Sequence, residues 1–216
     1  EARSTMASVR LYDYWRSSAA FRVRIALHLK GVDYTVIPVD LVANAQSSDE
    51  YLQQNPQGLV PALAAGQGPL LTQSLAILEW LEETRPEPPL LPRDPVERCR
   101  VRAMMQSIAC DIHPLNNLRV QRYLVGPLGV SEADKLGWYH HWIAQGFGAL
   151  EQQVTGVQYC FGDGLTLADV CLVPQMYNAR RFQQDLAPYP KLVAITDYLE
   201  QLPAFAAAAP QGNAEA

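Results

Sequence analysis

The chain has 216 residues and a mass of 24.0 kDa, which accommodates one large domain or two modest ones. Hydrophobic residues make up 49% and charged residues 18%, enough apolar material for a core and too little charge for an intrinsically disordered chain. A formal net charge of -5 argues against nucleic-acid binding, which needs surplus Lys and Arg, and favours a small-molecule partner.

No apolar run is long enough to span a bilayer and no charged-then-apolar leader precedes the body, so a cytoplasmic protein with no membrane partner is expected. Cys99, Cys110, Cys160 and Cys171 show neither C-x-x-C spacing nor a zinc pattern with nearby histidines, so reduced structural thiols and no metal site are expected. Cys110 and Cys171 read as core residues. Residues 1–7 read as an expression remnant and disordered start, with Met6 as the natural first residue.

Val9 to Tyr14 is a short β-prone run, and Phe21 to Lys30 carries apolar residues at helical spacing and is closed by Gly31. Tyr34 to Val39 alternates and is β-branched, so it predicts a second strand, parallel to the first through a right-handed crossover. Asn44 to Asn55 carries a weak helix. Leu59 to Leu63 then begins a third strand, entered through Pro61, where a cis bond is expected to expose the Val60 backbone to a ligand. Pro69 to Thr72 reads as its hairpin partner, and Gln73-Ser74 opens an amphipathic helix through Glu83. The order β-α-β-α-β-β-α is that of a thioredoxin-like α/β domain.

Five prolines between Pro86 and Pro95 suit a connector, not a helix. Helical patterns follow over Val96 to about Asn116, Arg119 to Val125, Ser131 to Val154, Thr166 to Arg181 and Lys191 to Ala208. The expected organisation is a thioredoxin-like domain over 8–87, a linker over 88–95 and an all-α domain over 96–216.

Arg16-Ser17-Ser18-Ala19-Ala20 lies at the first strand-to-helix junction. A helix start offers unsatisfied N–H groups and a positive dipole end, which stabilise an anion such as a thiolate, and a serine hydroxyl adds a donor. The same serine also suits a simple N-cap, and the two roles are compatible. Thioredoxin-type disulfide exchange would need C-x-x-C here, so any thiol must arrive with a ligand. Gln73 and Ser74 likewise open a helix where a carboxylate can dock, with a plain capping role as the alternative. His113 and Asn117 are four residues apart, as on one helical face that meets a ligand or a partner subunit; alternatively His113-Pro114 is a kink. Thr166-Leu167-Ala168-Asp169 reads as a capping box whose job is folding.

Four separated runs, residues 16–27, Asn55-Pro-Gln-Gly-Leu-Val-Pro-Ala-Leu63, residues 73–83 and Asp185-Leu-Ala-Pro-Tyr-Pro190, together resemble the zeta-class glutathione transferases. That family includes isomerases of maleylacetoacetate and maleylpyruvate, and the likeness runs from about Val9 to Ala208. The resemblance implies glutathione as coenzyme, held at its sulfur by Ser17 with Ser18 beside it, at its cysteinyl part by Val60 before Pro61, and at its γ-glutamyl end by Gln73 and Ser74. Gln57, His113 and Asn117 join the expected glutathione contacts, and Arg16, Arg119 and Arg181 are expected to hold a small dicarboxylic keto acid. Arg180 competes with Arg181, since adjacent helical residues point about 100° apart. Ala19 stands where the family pattern carries a cysteine.

The implied activity is glutathione-dependent cis–trans isomerisation of maleylacetoacetate in aromatic amino-acid breakdown, by a homodimer. The alternatives are maleylpyruvate isomerisation, conjugation or dehalogenation of small α-halo acids, and a non-catalytic module that keeps the fold.

Overall fold

A computed structural model of the protein describes residues 8–211, so the expectations for residues 1–7 lie outside it. Four strands, β1 (Val9–Asp13), β2 (Tyr34–Pro38), β3 (Ala62–Ala65) and β4 (Leu71–Thr72), form one sheet in the order β2-β1-β3-β4. β1 and β2 are parallel, as the crossover rule requires, and β3 and β4 run antiparallel to their neighbours. Helix α1 (Ser18–Leu29) makes that crossover, α2 (Asp49–Gln54) follows β2, and α3 (Ser74–Thr84) follows β4.

Side chains alternate along the strands, and the inner strands β1 and β3 bury residues on both faces. Tyr12, Ala62 and Ala64 share one face with Tyr51 of α2 and Val39, and the Tyr12 and Tyr51 rings lie 5.8 Å apart. Leu11 and Leu63, register partners, point the opposite way and are fully buried. α1 and α3 pack together, and Ile25, Leu27, Ile77, Leu78 and Leu81 of these helices are likewise buried.

The third strand begins later than expected. Leu59 and Val60 are outside it, because Pro61 has no N–H for the ladder and its bond to Val60 is cis, as the sequence suggested.

The helical part holds α4 (Pro95–Ala109), α5 (Leu118–Val125), α6 (Glu132–Gln153), α7 (Leu167–Arg181) and α8 (Pro190–Leu199). α7 is its centre: every residue from Leu167 to Met176 is buried, and the helix packs against α4 and α8. Its start is the expected capping box. Thr166 Oγ1 accepts from Ala168 N–H, while the Asp169 carboxylate accepts from the main-chain N–H groups of Thr166 (2.9 Å) and Cys160 (2.8 Å). No helix among the described residues is long and apolar enough to cross a membrane.

Four expectations need correction. The helix expected over Val96 to Asn116 stops at Ala109, and His113–Asn116 form a separate 3-10 turn with Pro114 near its start. Cys110 is consequently exposed at the end of α4 instead of in the core, whereas Cys171 is buried. The helix expected over Lys191 to Ala208 is two, because Pro203 starts a new one, α9 (Pro203–Ala208). By contacts the chain divides into one unit of residues up to Pro88 together with α9, and a second of Pro89–Leu202. α9 therefore departs from the expected all-α domain of 96–216: it packs on α1, and Arg24 Nε donates to the Ala208 carbonyl at 2.9 Å.

Candidate functional site

Strand register gathers the expected ligand contacts of the first unit. Tyr12 pairs with Ala62 and Ala62 with Thr72, so the segments leaving β1, entering β3 and leaving β4 emerge at one end of the sheet. Ser17, Val60 with Pro61, and Gln73 with Ser74 lie on those three segments.

The first segment is braced from below. Arg24 Nη1 bonds the buried Asp13 carboxylate at 2.7 Å and its Nη2 donates to the Trp15 carbonyl at 3.2 Å. Burial pushes the Asp13 carboxyl up from its usual value, against the pull of the Arg24 guanidinium. Ser17 then caps α1: its backbone is extended, and its Oγ accepts from Ala20 N–H at 3.1 Å. A hydroxyl that accepts through a lone pair keeps its own proton to donate, so capping leaves Ser17 able to donate to a ligand. Ser17 is half-buried, while Ser18, the first residue of α1, is 3% exposed. Arg16 Nη2 donates to Tyr14 Oη at 3.1 Å and its guanidinium lies 4.9 Å from the Trp15 ring, an aromatic shelf beside Ser17.

Around Val60 the backbone is fixed by residues the sequence did not single out. Tyr51 Oη (2.6 Å) and Asn55 Nδ2 (2.8 Å) both donate to the Leu59 carbonyl. Gly58 has φ +63°, and a Cβ there would meet the Gln46 carbonyl at 3.0 Å, so a side chain at this position would be strained. Val60 follows directly, and no hydrogen bond to its main chain is made among the described residues.

At the third segment Gln73 adopts φ +70°, an unusual backbone for a non-glycine residue. Its Nε2 donates to Gln57 Oε1 at 2.6 Å, so the two glutamines meet as one exposed amide pair. Ser74, the first residue of α3, accepts from Arg22 Nη1 at 3.1 Å. Arg22 was not among the expected site residues; like Arg24, it is a cation within the otherwise apolar run Phe21 to Leu27, every member of which is buried.

In the helical unit, Arg119 is exposed in the first turn of α5 and Arg181 in the last turn of α7. Arg180 is tied to Asp197 (2.7 Å) and Glu200 (3.1 Å), whereas Arg181 lies 5.0 Å from the Phe182 ring with no carboxylate partner among the described residues. Phe182 is itself held, its ring 4.1 Å from that of Tyr139 and its carbonyl 2.6 Å from His140 Nε2. Burial pushes the Tyr139 hydroxyl well up, against a smaller downward pull from the Arg181 guanidinium. His113 and Asn117 do not share an α-helical face, since His113 is in the 3-10 turn and Asn117 is extended (φ -62°, ψ 151°) as it begins α5.

Residues 7–83 match the glutathione S-transferase N-terminal domain family, and residues 130–208 match the glutathione S-transferase C-terminal domain family. A chain 49% identical over 215 residues, covering 98% of this chain and all of its own length, is the probable maleylacetoacetate isomerase of Vibrio cholerae. A maleylpyruvate isomerase described as a bacterial glutathione S-transferase of the zeta class superposes with a TM-score of 0.92 at 46% identity, covering 96% of this chain and 99% of that one. This chain belongs to the zeta-class glutathione S-transferase family.

A further solved structure, the maleylacetoacetate isomerase of Methylobacterium extorquens AM1, has a TM-score of 0.92 at 43% identity, covers 96% of this chain and all of that one, and was solved with malonate and glutathione bound. In the present transferase the donor set fits glutathione: a hydroxyl with a free proton at a helix start for the sulfur, a strand-edge backbone for the peptide, and amide and hydroxyl groups at a second helix start for a carboxylate.

Proposed function

We propose that this transferase is a glutathione-dependent cis–trans isomerase of maleyl keto acids, with maleylacetoacetate as its leading substrate. The observation that carries the proposal is the convergence of Ser17, Val60 and Gln73-Ser74 at one end of the sheet, in a chain 49% identical along its length to a probable maleylacetoacetate isomerase. Bound glutathione supplies a thiolate that adds to the cis double bond, lets it rotate as a single bond, and leaves unchanged.

The protein's residues hold and polarise. Ser17 donates its hydroxyl proton to the sulfur, and the start of α1 favours the thiolate form. Val60 pairs its main chain with the cysteinyl part, while Gln57, Gln73 and Ser74 grip the γ-glutamyl end. Arg119 and Arg181 take the substrate carboxylates, and Arg16 faces the negative charge that develops on the keto oxygen. Arg180 is left out of this set because its guanidinium is paired with Asp197 and Glu200. Asn117, whose side chain caps nothing, and His113 complete the proposed ligand contacts.

Maleylpyruvate is the second reading, since its carboxylates suit the same arginines and the zeta-class maleylpyruvate isomerase is 46% identical. Comparing the turnover of both acids, with and without glutathione, tests the proposal; conversion of neither would overturn it. We also propose a cytoplasmic homodimer acting in tyrosine breakdown, with the first unit holding glutathione and the helical unit the acid. These readings rest on the family resemblance, and sedimentation at micromolar concentration tests the dimer.

A further inference from the structure

Arg22 occupies the second turn of α1 and is 1% exposed, among the most deeply buried large side chains of the protein. A guanidinium is permanently charged and carries only donors, so burying one is costly unless polar partners receive it. One such partner is Ser74 Oγ, 3.1 Å from Arg22 Nη1 and 52 residues away in sequence. That contact ties the helix bearing Ser17 to the helix bearing Ser74.

The chemistry of the pair has a direction. A hydroxyl owns one proton and two lone pairs, and Arg22 can offer nothing but protons. Ser74 Oγ therefore accepts from Arg22, and its own proton is turned away from the guanidinium. A donor that is itself receiving a charged hydrogen bond is polarised and becomes a stronger donor. We propose that Arg22 is a positioning residue that sets the Ser74 hydroxyl as a donor and tunes it for an ionised carboxylate. The site thereby prefers a thiol peptide whose γ-glutamyl residue carries a free α-carboxylate over one whose carboxyl is an amide. This inference rests on the reading that Ser74 grips the γ-glutamyl end of glutathione.

The test is calorimetric binding of two ligands, glutathione and its analogue with the γ-glutamyl α-carboxyl converted to carboxamide, to wild type, Arg22→Met and Ser74→Ala. Wild type should favour the carboxylate by about tenfold or more, as expected for a charge-assisted hydrogen bond. Arg22→Met should shrink that ratio by at least about fivefold, an effect drawn from the same bond. A merely structural role would weaken both ligands alike and leave the ratio unchanged, which would overturn the proposal. If Arg22→Met does not fold, Arg22→Lys takes its place: it keeps a cation but not the planar donor that reaches Ser74, and should also lower the ratio. An unaltered ratio in folded Arg22→Lys overturns the proposal equally. Ser74→Ala separates the two levels. If it binds both ligands as wild type does, the assignment of Ser74 fails; if it weakens glutathione while the Arg22 variants keep the wild-type ratio, only the Arg22 inference fails.

Discussion

In the proposed mechanism Ser17 carries two duties on one oxygen, and substitution can part them. Glycine is nearly as good an N-cap as serine, a difference of a few tenths of a kcal/mol, but has no hydroxyl. Ser17→Gly should therefore melt close to wild type while losing about 10- to 100-fold in kcat/KM, the worth of one hydrogen bond to a charged group. Full activity in that variant would remove Ser17 from the site. The neighbouring arginines of α7 give a paired contrast. Arg181→Ala should raise KM for the diacid by about tenfold or more, because a charged contact to a carboxylate is lost, and leave glutathione affinity unchanged. Arg180→Ala breaks only exposed ion pairs, worth at most about 1 kcal/mol, and should leave both constants as they are. Steady-state kinetics of the two variants side by side checks this. The difference in pairing between these arginines was not legible in the sequence, since Asp197 and Glu200 reach Arg180 only after α8 has packed on α7. Arg22 was hidden for a similar reason: its partner Ser74 belongs to another helix.

Among the elements, the start of α7 was readable because a capping box is a local pattern, complete within Thr166 to Asp169. The break after α4 was not, since apolar spacing continues through Ile108 and Ile112 while the chain turns at Cys110 and Asp111 and tightens at His113-Pro114. The end of α8 could have been read from Pro203, which fits the first turn of a helix and disrupts an interior. The α7 box also carries a pH dependence. Burial pushes the Asp169 carboxyl from 3.8 up to about 6, although its two main-chain N–H partners pull it down. The folded chain thus binds this proton more tightly than the unfolded chain does. The resulting stabilisation is full below the unfolded value of 3.8 and is lost as pH rises through about 6. Asp169→Asn cannot titrate, so the stability difference between wild type and this variant should narrow from pH 4 to pH 7 in chemical denaturation. A difference that widens over that range would contradict the assignment.

For the molecule as a whole, the thioredoxin-like order and the helical half were legible because strand period, helix period and proline clusters are properties of short windows. The likeness of four separated runs supplied the glutathione chemistry that no single window contained. What the folded chain adds is convergence: the register Tyr12–Ala62–Thr72 brings Ser17, Val60 and Gln73 to one end of the sheet, and Tyr51 and Asn55 fix the Leu59 carbonyl beside them. With Ala19 where the family pattern carries a cysteine, the part proposed for the protein is to hold and polarise a thiol brought by the ligand. The central claim is that glutathione acts here as a coenzyme. Its most direct test follows maleylacetoacetate and glutathione together through many turnovers. The account predicts conversion to the trans isomer only when glutathione is present, with the glutathione concentration unchanged at the end; isomerisation without glutathione, no isomerisation, or loss of one glutathione per product would contradict it.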